Sequence, residues 1–195
     1  MAFLRPISKP EIAPFIYGEG VYLRGPQMGD YAEWSSLREQ SRAFLTPWEP
    51  VWPADDLTRP AYRRRLRRYV RDVREESAYP FFIFREDDDV LVGGCTLSNI
   101  RRGVTQACSL GYWAGQPYAR QGYVGTAVRT LIPFVFEVLG LHRLEAACVP
   151  SNEPSKRLLV KCGFIQEGYA RDYLRINGAW RDHLLFALLS GDLER

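Results

Sequence analysis

The apolar positions of this chain switch between a period of two and a period near 3.6, and that switching lays out its elements. Val21–Arg24 (VYLR) reads as a first strand. Helical spacing then runs over 29–44 through Tyr31, Trp34 and Leu37. The stretch 44–53, FLTPWEPVWP, alternates proline with tryptophan, cannot continue a helix and predicts a shaped loop. Asp55, Asp56 or Thr58 can cap the next helix, over 59–77, whose Leu66, Val70 and Val73 form a core-facing stripe. Residues 81–85 and 90–98 are apolar strands around the acidic turn Asp87-Asp88-Asp89, a hairpin pattern. Another strand is predicted over 108–113, and a helical run over 126–139 follows, with Pro133 inside it predicting a kink or a late start to regular hydrogen bonding. Residues 143–149 read as a strand and 152–161 as a short helix with Gly163 as its C-cap. Segments 168–176 and 180–189 flank Asn177-Gly178, a strong hairpin signal. The order β-α-α-β-β-β-α-β-α-β-β predicts a mixed α/β domain, neither doubly wound nor a barrel.

Composition narrows the class. A chain of 195 residues with 46% hydrophobic positions is enough for one domain spanning 1–195 with a real core. The net charge of +3 says little about partners. Among the basic residues only Lys9, Lys156 and Lys161 are lysines. Cys95, Cys108, Cys148 and Cys162 are widely spaced, with no C-x-x-C pair, and the only histidines are His142 and His183. Neither a metal centre nor a disulfide framework is expected, and reduced thiols in a cytoplasmic protein fit best. No apolar run reaches membrane-spanning length, and no signal-peptide core is seen at the N-terminus, so no membrane partner is expected.

Candidate chemistry begins at Ser109–Gly125, SLGYWAGQPYARQGYVG. A strand breaks at Gly115 and Pro117, and a glycine-punctuated turn opens directly into a helix. Such a turn lets backbone N–H groups converge on an anion, and the helix dipole adds to it. The spacing Gly122-Tyr-Val-Gly125 is neither the dinucleotide fingerprint nor a P-loop. A second feature is the seven arginines between Arg63 and Arg74. They could dock on RNA or a ribosome, or form a solvated face partly neutralised by Asp72, Glu75 and Glu76.

Several segments in the right order resemble the GNAT superfamily of N-acetyltransferases. They are FLTPWEP (44–50), SNIRRG (98–103), ACSLGY (107–112), HRLEA (142–146), VPSN (149–152) with Ser155, EGYARDYL (167–174) and NGAWRDH (177–183). The last block and the 44–50 loop are most similar to the RimJ branch of the RimJ/RimL-type enzymes, which acetylate the N-terminal amines of ribosomal proteins. The resemblance implies an acyltransferase fold: a mixed, mostly antiparallel sheet with splayed central strands flanked by helices. It implies acetyl-CoA as co-substrate and no metal. The CoA-binding set it implies is Tyr112, Trp113, Ala114, Arg120, Gln121, Gly122, Tyr123, Val124, Gly125, Thr126, Asn152 and Ser155. Trp113 and Ala114 would offer backbone groups to the peptide-like pantetheine arm. In the family's pyrophosphate pattern, [QR]-x-x-G-x-[GA], Gly122 fits, Ala119 replaces Gln or Arg, and Val124 places bulk where a small residue is usual.

The resemblance also assigns roles. Ser155 matches the serine that protonates the CoA sulfur, whereas many relatives use a tyrosine one turn later, here Leu159; Ser155 can alternatively be a helix N-cap. The family's glutamate on the late strand falls at Leu174 without a gap, or, with a two-residue shift, at Asp172 on the same face by alternation. Glu145 is a competing base, or else a partner for a nearby arginine. Glu49 could hold the incoming ammonium, with Trp48 and Trp52 walling the acceptor pocket; Tyr173 and Asp182 are further polar candidates. The implied reaction is direct attack of a protein's N-terminal α-amine on the thioester. The acceptor would be a ribosomal protein beginning with Ala or Ser, with ribosome association possible and no sequence-specific nucleic-acid binding. An α-amine, with a pKa of roughly 7.7–8.0, needs only a modest base. The alternatives are a small-molecule amine acetyltransferase and a ribosome- or RNA-associated binding module.

Overall fold

A computed structural model describes residues 14–194. The elements in chain order are β1 (Ile16–Gly18), β2 (Val21–Arg24), α1 (Tyr31–Gln40), α2 (Arg42–Leu45), α3 (Arg59–Arg74), β3 (Tyr79–Arg85) and β4 (Leu91–Arg101). They continue with β5 (Ala107–Ala114), α4 (Tyr123–Pro133), β6 (Arg143–Cys148), α5 (Glu153–Lys161), β7 (Ile165–Ile176) and β8 (Ala179–Leu189). The strands form one sheet of order β1-β2-β3-β4-β5-β6-β8-β7. Every neighbouring pair is antiparallel except β5 and β6, which run parallel.

The core lies on both faces of this sheet. Strand β3 shows why its sequence is a continuous apolar run. Phe81 and Ile83 pack on the face covered by Val124, Ala127, Val128 and Leu131 of α4. Phe82 and Phe84 pack on the opposite face against Trp34, Leu37 and Tyr62 of α1 and α3. A strand covered on both faces loses the apolar/polar alternation of a half-exposed one.

Four boundaries differ from the pattern reading for local reasons. The expected helix over 29–44 breaks at Ser41, a fully buried residue whose Oγ accepts a 2.8 Å hydrogen bond from the Gln116 N–H. Helix α3 starts where expected, with Thr58 Oγ1 accepting from the Ala61 N–H at 3.3 Å, but stops at Arg74. At Pro133 the α-helical hydrogen bonding of α4 ends, and the chain continues as one π-helical turn, Phe134–Val138. Strand β7 begins at Ile165, ahead of the expected 168. The Asn177-Gly178 turn is as read, both residues at positive φ.

Candidate active site

The parallel pairing of β5 with β6 is short. It holds at Ala107–Arg143, Cys108–Leu144 and Ser109–Glu145, and then stops. Beyond it, β5 from Leu110 to Ala114 still pairs with β4, and β6 from Ala146 to Cys148 still pairs with β8. The two strands have therefore separated, leaving the Trp113–Ala114 edge of β5 without a strand partner on the β6 side. Gly93 lets β4 approach that edge closely: a Cβ there would sit 2.4 Å from the Trp113 carbonyl oxygen. The gap is open to an extended chain that can bond like a strand.

At the end of β5 the chain turns through Arg120 and Gly122, with φ of 62° and 94°, into α4. Gly122 is the N-cap and has no side chain to satisfy the first turn. The Thr126 N–H is the first to bond back, to the Gly122 carbonyl at 2.9 Å. The N–H groups of Tyr123, Val124 and Gly125 are thus the orphan donors of the helix start. A Cβ at Gly122 would meet nothing within 4 Å, so the space over the turn is clear. The bulk expected from Val124 does not enter it, because Val124 is 8% exposed and packs into the core cluster under α4. The Gln121 side chain is turned back onto the loop, donating to the Pro117 carbonyl at 2.8 Å. These donors and this open edge fit a pyrophosphate joined to a peptide-like arm.

Ser155 sits on α5, on the β6 side of the gap. It is not the N-cap. That role belongs to Asn152, whose Oδ1 accepts from the Ser155 N–H at 3.2 Å, which leaves the Ser155 hydroxyl free for other work. The hydroxyl lies 2.7 Å from the Tyr112 hydroxyl, which comes across the gap from β5. Burial raises the Tyr112 phenol well above its ordinary pKa, and the Ser155 hydrogen bond only partly opposes this. Tyr112 is therefore a neutral donor in the working range. If it donates to Ser155 Oγ, the serine's own proton points elsewhere. Tyr112 was expected among the cofactor contacts; its bond to Ser155 has no signal in local sequence, because the two residues are 43 apart.

The carboxylates expected as bases are placed differently. Glu145 is the last β6 residue paired with β5, and its alternation with Leu144 and Ala146 turns it away from the α4–α5 face. Its oxygens are held by Arg101 and by Arg143 Nε, the latter at 2.9 Å. The arginine-partner role is thus the one its geometry shows. Asp172 lies in a bulge: Ala170 opposes His183 and Leu174 opposes Arg181, so three residues face one. Its φ is 45°, and its N–H donates to Asp182 Oδ1 at 2.8 Å. The alternation expected to align Asp172 with Leu174 does not survive that bulge. Tyr173, in the same bulge, sets its ring edge-on to His183 with centroids 5.6 Å apart.

The 44–53 loop forms the other wall. Glu49 takes a forked hydrogen bond from Arg38, at 2.8 and 2.5 Å, and a third from the Trp52 indole N–H at 2.7 Å. The Arg38 guanidinium lies over the Trp52 ring at 4.1 Å and near the Trp113 ring at 4.9 Å. Its side chain is only 8% exposed. Glu49 is consequently a latch between the loop and α1, with its charge already matched, and not a free carboxylate for an ammonium. The Glu49 carbonyl also accepts from the Asn177 N–H at 2.8 Å, tying the loop to the β7–β8 turn. Two adjoining clefts share Asn177. One is lined by Arg42, Thr46, Pro50, Val51 and Trp52, and the other by Pro47, Trp48, Val149, Ser151 and Arg181. The second ends at Ser151, beside the Asn152 cap of α5.

A parted parallel strand pair, a glycine-capped helix start between its arms and a hydroxyl pair across the gap make an arrangement suited to a transferase that uses a phosphate-bearing cofactor with a peptide-like arm. Residues 21–165 match the acetyltransferase (GNAT) domain family. The chain belongs to that family and is an N-acetyltransferase. It is 37% identical over 153 residues to the ribosomal protein uS5-alanine N-acetyltransferase of Escherichia coli, covering 78% of this chain and 79% of that one. It is 34% identical over 178 residues to the probable N-acetyltransferase YjcK of Bacillus subtilis, covering 91% of this chain and 98% of that one. It also superposes on Mycobacterium smegmatis RimJ in complex with CoA-disulfide, with a TM-score of 0.86 and 30% identity, over 93% of this chain and 88% of that one. Among the described residues, no His/Cys/Asp/Glu cluster could hold a metal ion, and no helix is long and apolar enough to cross a membrane.

Proposed function

We propose that this enzyme transfers the acetyl group of acetyl-CoA to the N-terminal α-amine of a ribosomal protein that begins with Ala or Ser. Acetyl-CoA supplies the acetyl group as an activated thioester. The α4 N–H donors of Tyr123, Val124 and Gly125 hold its pyrophosphate, and the free β5 edge at Trp113–Ala114 holds its pantetheine arm. Ser155 gives its proton to the departing sulfur and regains one from water as the acceptor nitrogen loses its own, and Tyr112 aims the serine proton by donating to Ser155 Oγ. The observation that carries this reading is the Tyr112–Ser155 pair across the gap, 2.7 Å apart.

The acceptor is an α-amine because nothing at the site would deprotonate a stronger base. Glu145, Glu49 and Asp172 are paired or out in the bulge, so the proton leaves to water through the open cleft. An α-amine loses that proton near neutrality, whereas a lysine side chain near 10.4 does not. The clefts are lined by Arg42 and Arg181 and by no carboxylate, so a polyamine or aminoglycoside finds no counter-charge there. The uS5-alanine specificity of the Escherichia coli relative supports a ribosomal acceptor. Intact-mass spectra of ribosomal proteins from cells with and without this gene test the proposal. One protein should gain the mass of a single acetyl group only when the gene is present; identical spectra would refute it.

A further inference from the structure

Helix α3 lies outside the site described above, and its arginines are sorted into two sets. Arg64 and Arg65 pair with Asp55 and Asp56, the two acids that precede the helix. Arg71 pairs with Asp72 at 3.2 Å. Among the described residues, Arg63, Arg67, Arg68 and Arg74 make no ion pair, and all four are exposed. Arg63, Arg67 and Arg74 fall within about 40° of one another around a helix of 3.6 residues per turn, and span about 16 Å along its axis. Tyr62, buried in the second core cluster, and the half-buried Leu66, Val70 and Val73 occupy the adjoining side, so the free arginines form an exposed stripe along the edge of the packed face.

From this we infer that the α3 stripe docks on the phosphate backbone of RNA, next to the acceptor cleft. A line of guanidinium groups about one and two helical turns apart can follow a line of phosphates, and each can bond a phosphate through two N–H groups. A membrane surface fits less well, since no α3 residue is among the exposed large apolar side chains. The Arg64–Asp55 and Arg65–Asp56 pairs tie the helix to the segment that continues from the Trp52 loop, so RNA on α3 would lie beside the acceptor entrance. The choice of RNA over other polyanions rests on the ribosomal acceptor proposed above; the binding itself does not depend on turnover.

The test is fluorescence anisotropy of a labelled RNA hairpin with the full chain, in the absence of acetyl-CoA and acceptor, at several salt concentrations. Arg63→Glu/Arg67→Glu/Arg74→Glu should weaken binding by at least about tenfold and lower the salt dependence by about one unit of slope per arginine lost. The variant should still acetylate a short acceptor peptide at the unaltered rate, which shows that it is folded. Equal RNA affinity of variant and parent would overturn the inference. So would displacement of the hairpin by polyglutamate or anionic vesicles as readily as by unlabelled RNA, which would assign the stripe to an acidic protein or a membrane. Failure of peptide acetylation by the parent would instead strike the proposed function.

Discussion

The half of this site proposed for the cofactor is made of backbone, and the half proposed for the acceptor is held in place by side chains. On the cofactor side the donors are N–H groups of the α4 start, the free edge belongs to β5, and both are fixed by core residues such as Val124 and Val128. On the acceptor side the 44–53 loop has little regular structure, and its place depends on Arg38, Glu49 and Trp52. A site built of backbone tolerates side-chain drift around it, because no single substitution other than one to proline removes a donor. A wall held by one forked ion pair can be dislodged by one change. Variants should therefore separate cleanly: the first half governs acetyl-CoA, the second governs the acceptor.

The largest effect is expected where the halves meet. Ser155→Ala should lower kcat about 100-fold, the range of a lost general acid, with the KM for acetyl-CoA essentially unmoved. Unaltered turnover would reduce Ser155 to a packing residue. Arg38→Met leaves Glu49 half-buried without its partner. It should cost about 3 kcal/mol of stability in urea unfolding and raise the KM for the acceptor alone. Arg38→Met/Glu49→Gln should recover part of the stability, since no unmatched charge remains; an equal rise in both KM values would blur the two halves into one.

Tyr112→Phe removes one hydrogen bond to Ser155 and should slow kcat roughly tenfold, an effect that fits about 1.4 kcal/mol. Tyr112 also fixes the pH profile. Its phenol is raised by burial, so the folded protein keeps it neutral above the ordinary tyrosine range. The stability this neutrality involves is present at low pH and falls only as pH rises past the unfolded tyrosine value of about 10. kcat/KM should thus climb to a plateau near the acceptor amine's pKa of about 8 and hold to about pH 10. A loss of rate between those values would place an ionising group at the site that this account lacks. The smallest effect belongs to Gly122→Ala. Its φ of 94° costs an alanine about 1 kcal/mol but brings no clash, so the KM for acetyl-CoA should rise only a few-fold.

The same division decided how much could be read in the sequence. The glycine turn and the Asn-Gly hairpin are local, and each was legible from spacing, whereas the short strand β1 ahead of Val21 and the order of strands in the sheet were not. The helix over 152–161 was legible too, although its cap proved to be Asn152 and not Ser155. The acceptor wall was not legible. Arg38 looks like any polar helix position until the loop folds back and brings Glu49 and Trp52 to it. Asp172 was placed by strand alternation, and a bulge, which inserts residues without changing composition, removes that alternation. Val124 looked obstructive because a helix start does not show which of its residues turn inward. The Tyr112–Ser155 hydrogen bond exists only because β5 and α5 meet across the gap.

The central claim is that the acceptor is an α-amine handled by the Tyr112–Ser155 pair. Thiol release from acetyl-CoA tests it most directly, measured with a peptide beginning Ala or Ser and with the same peptide carrying a blocked N-terminus and a free lysine. Release with the first peptide alone, reduced about 100-fold by Ser155→Ala, is the predicted result. Equal release with the blocked peptide, or release untouched by the substitution, would contradict the account.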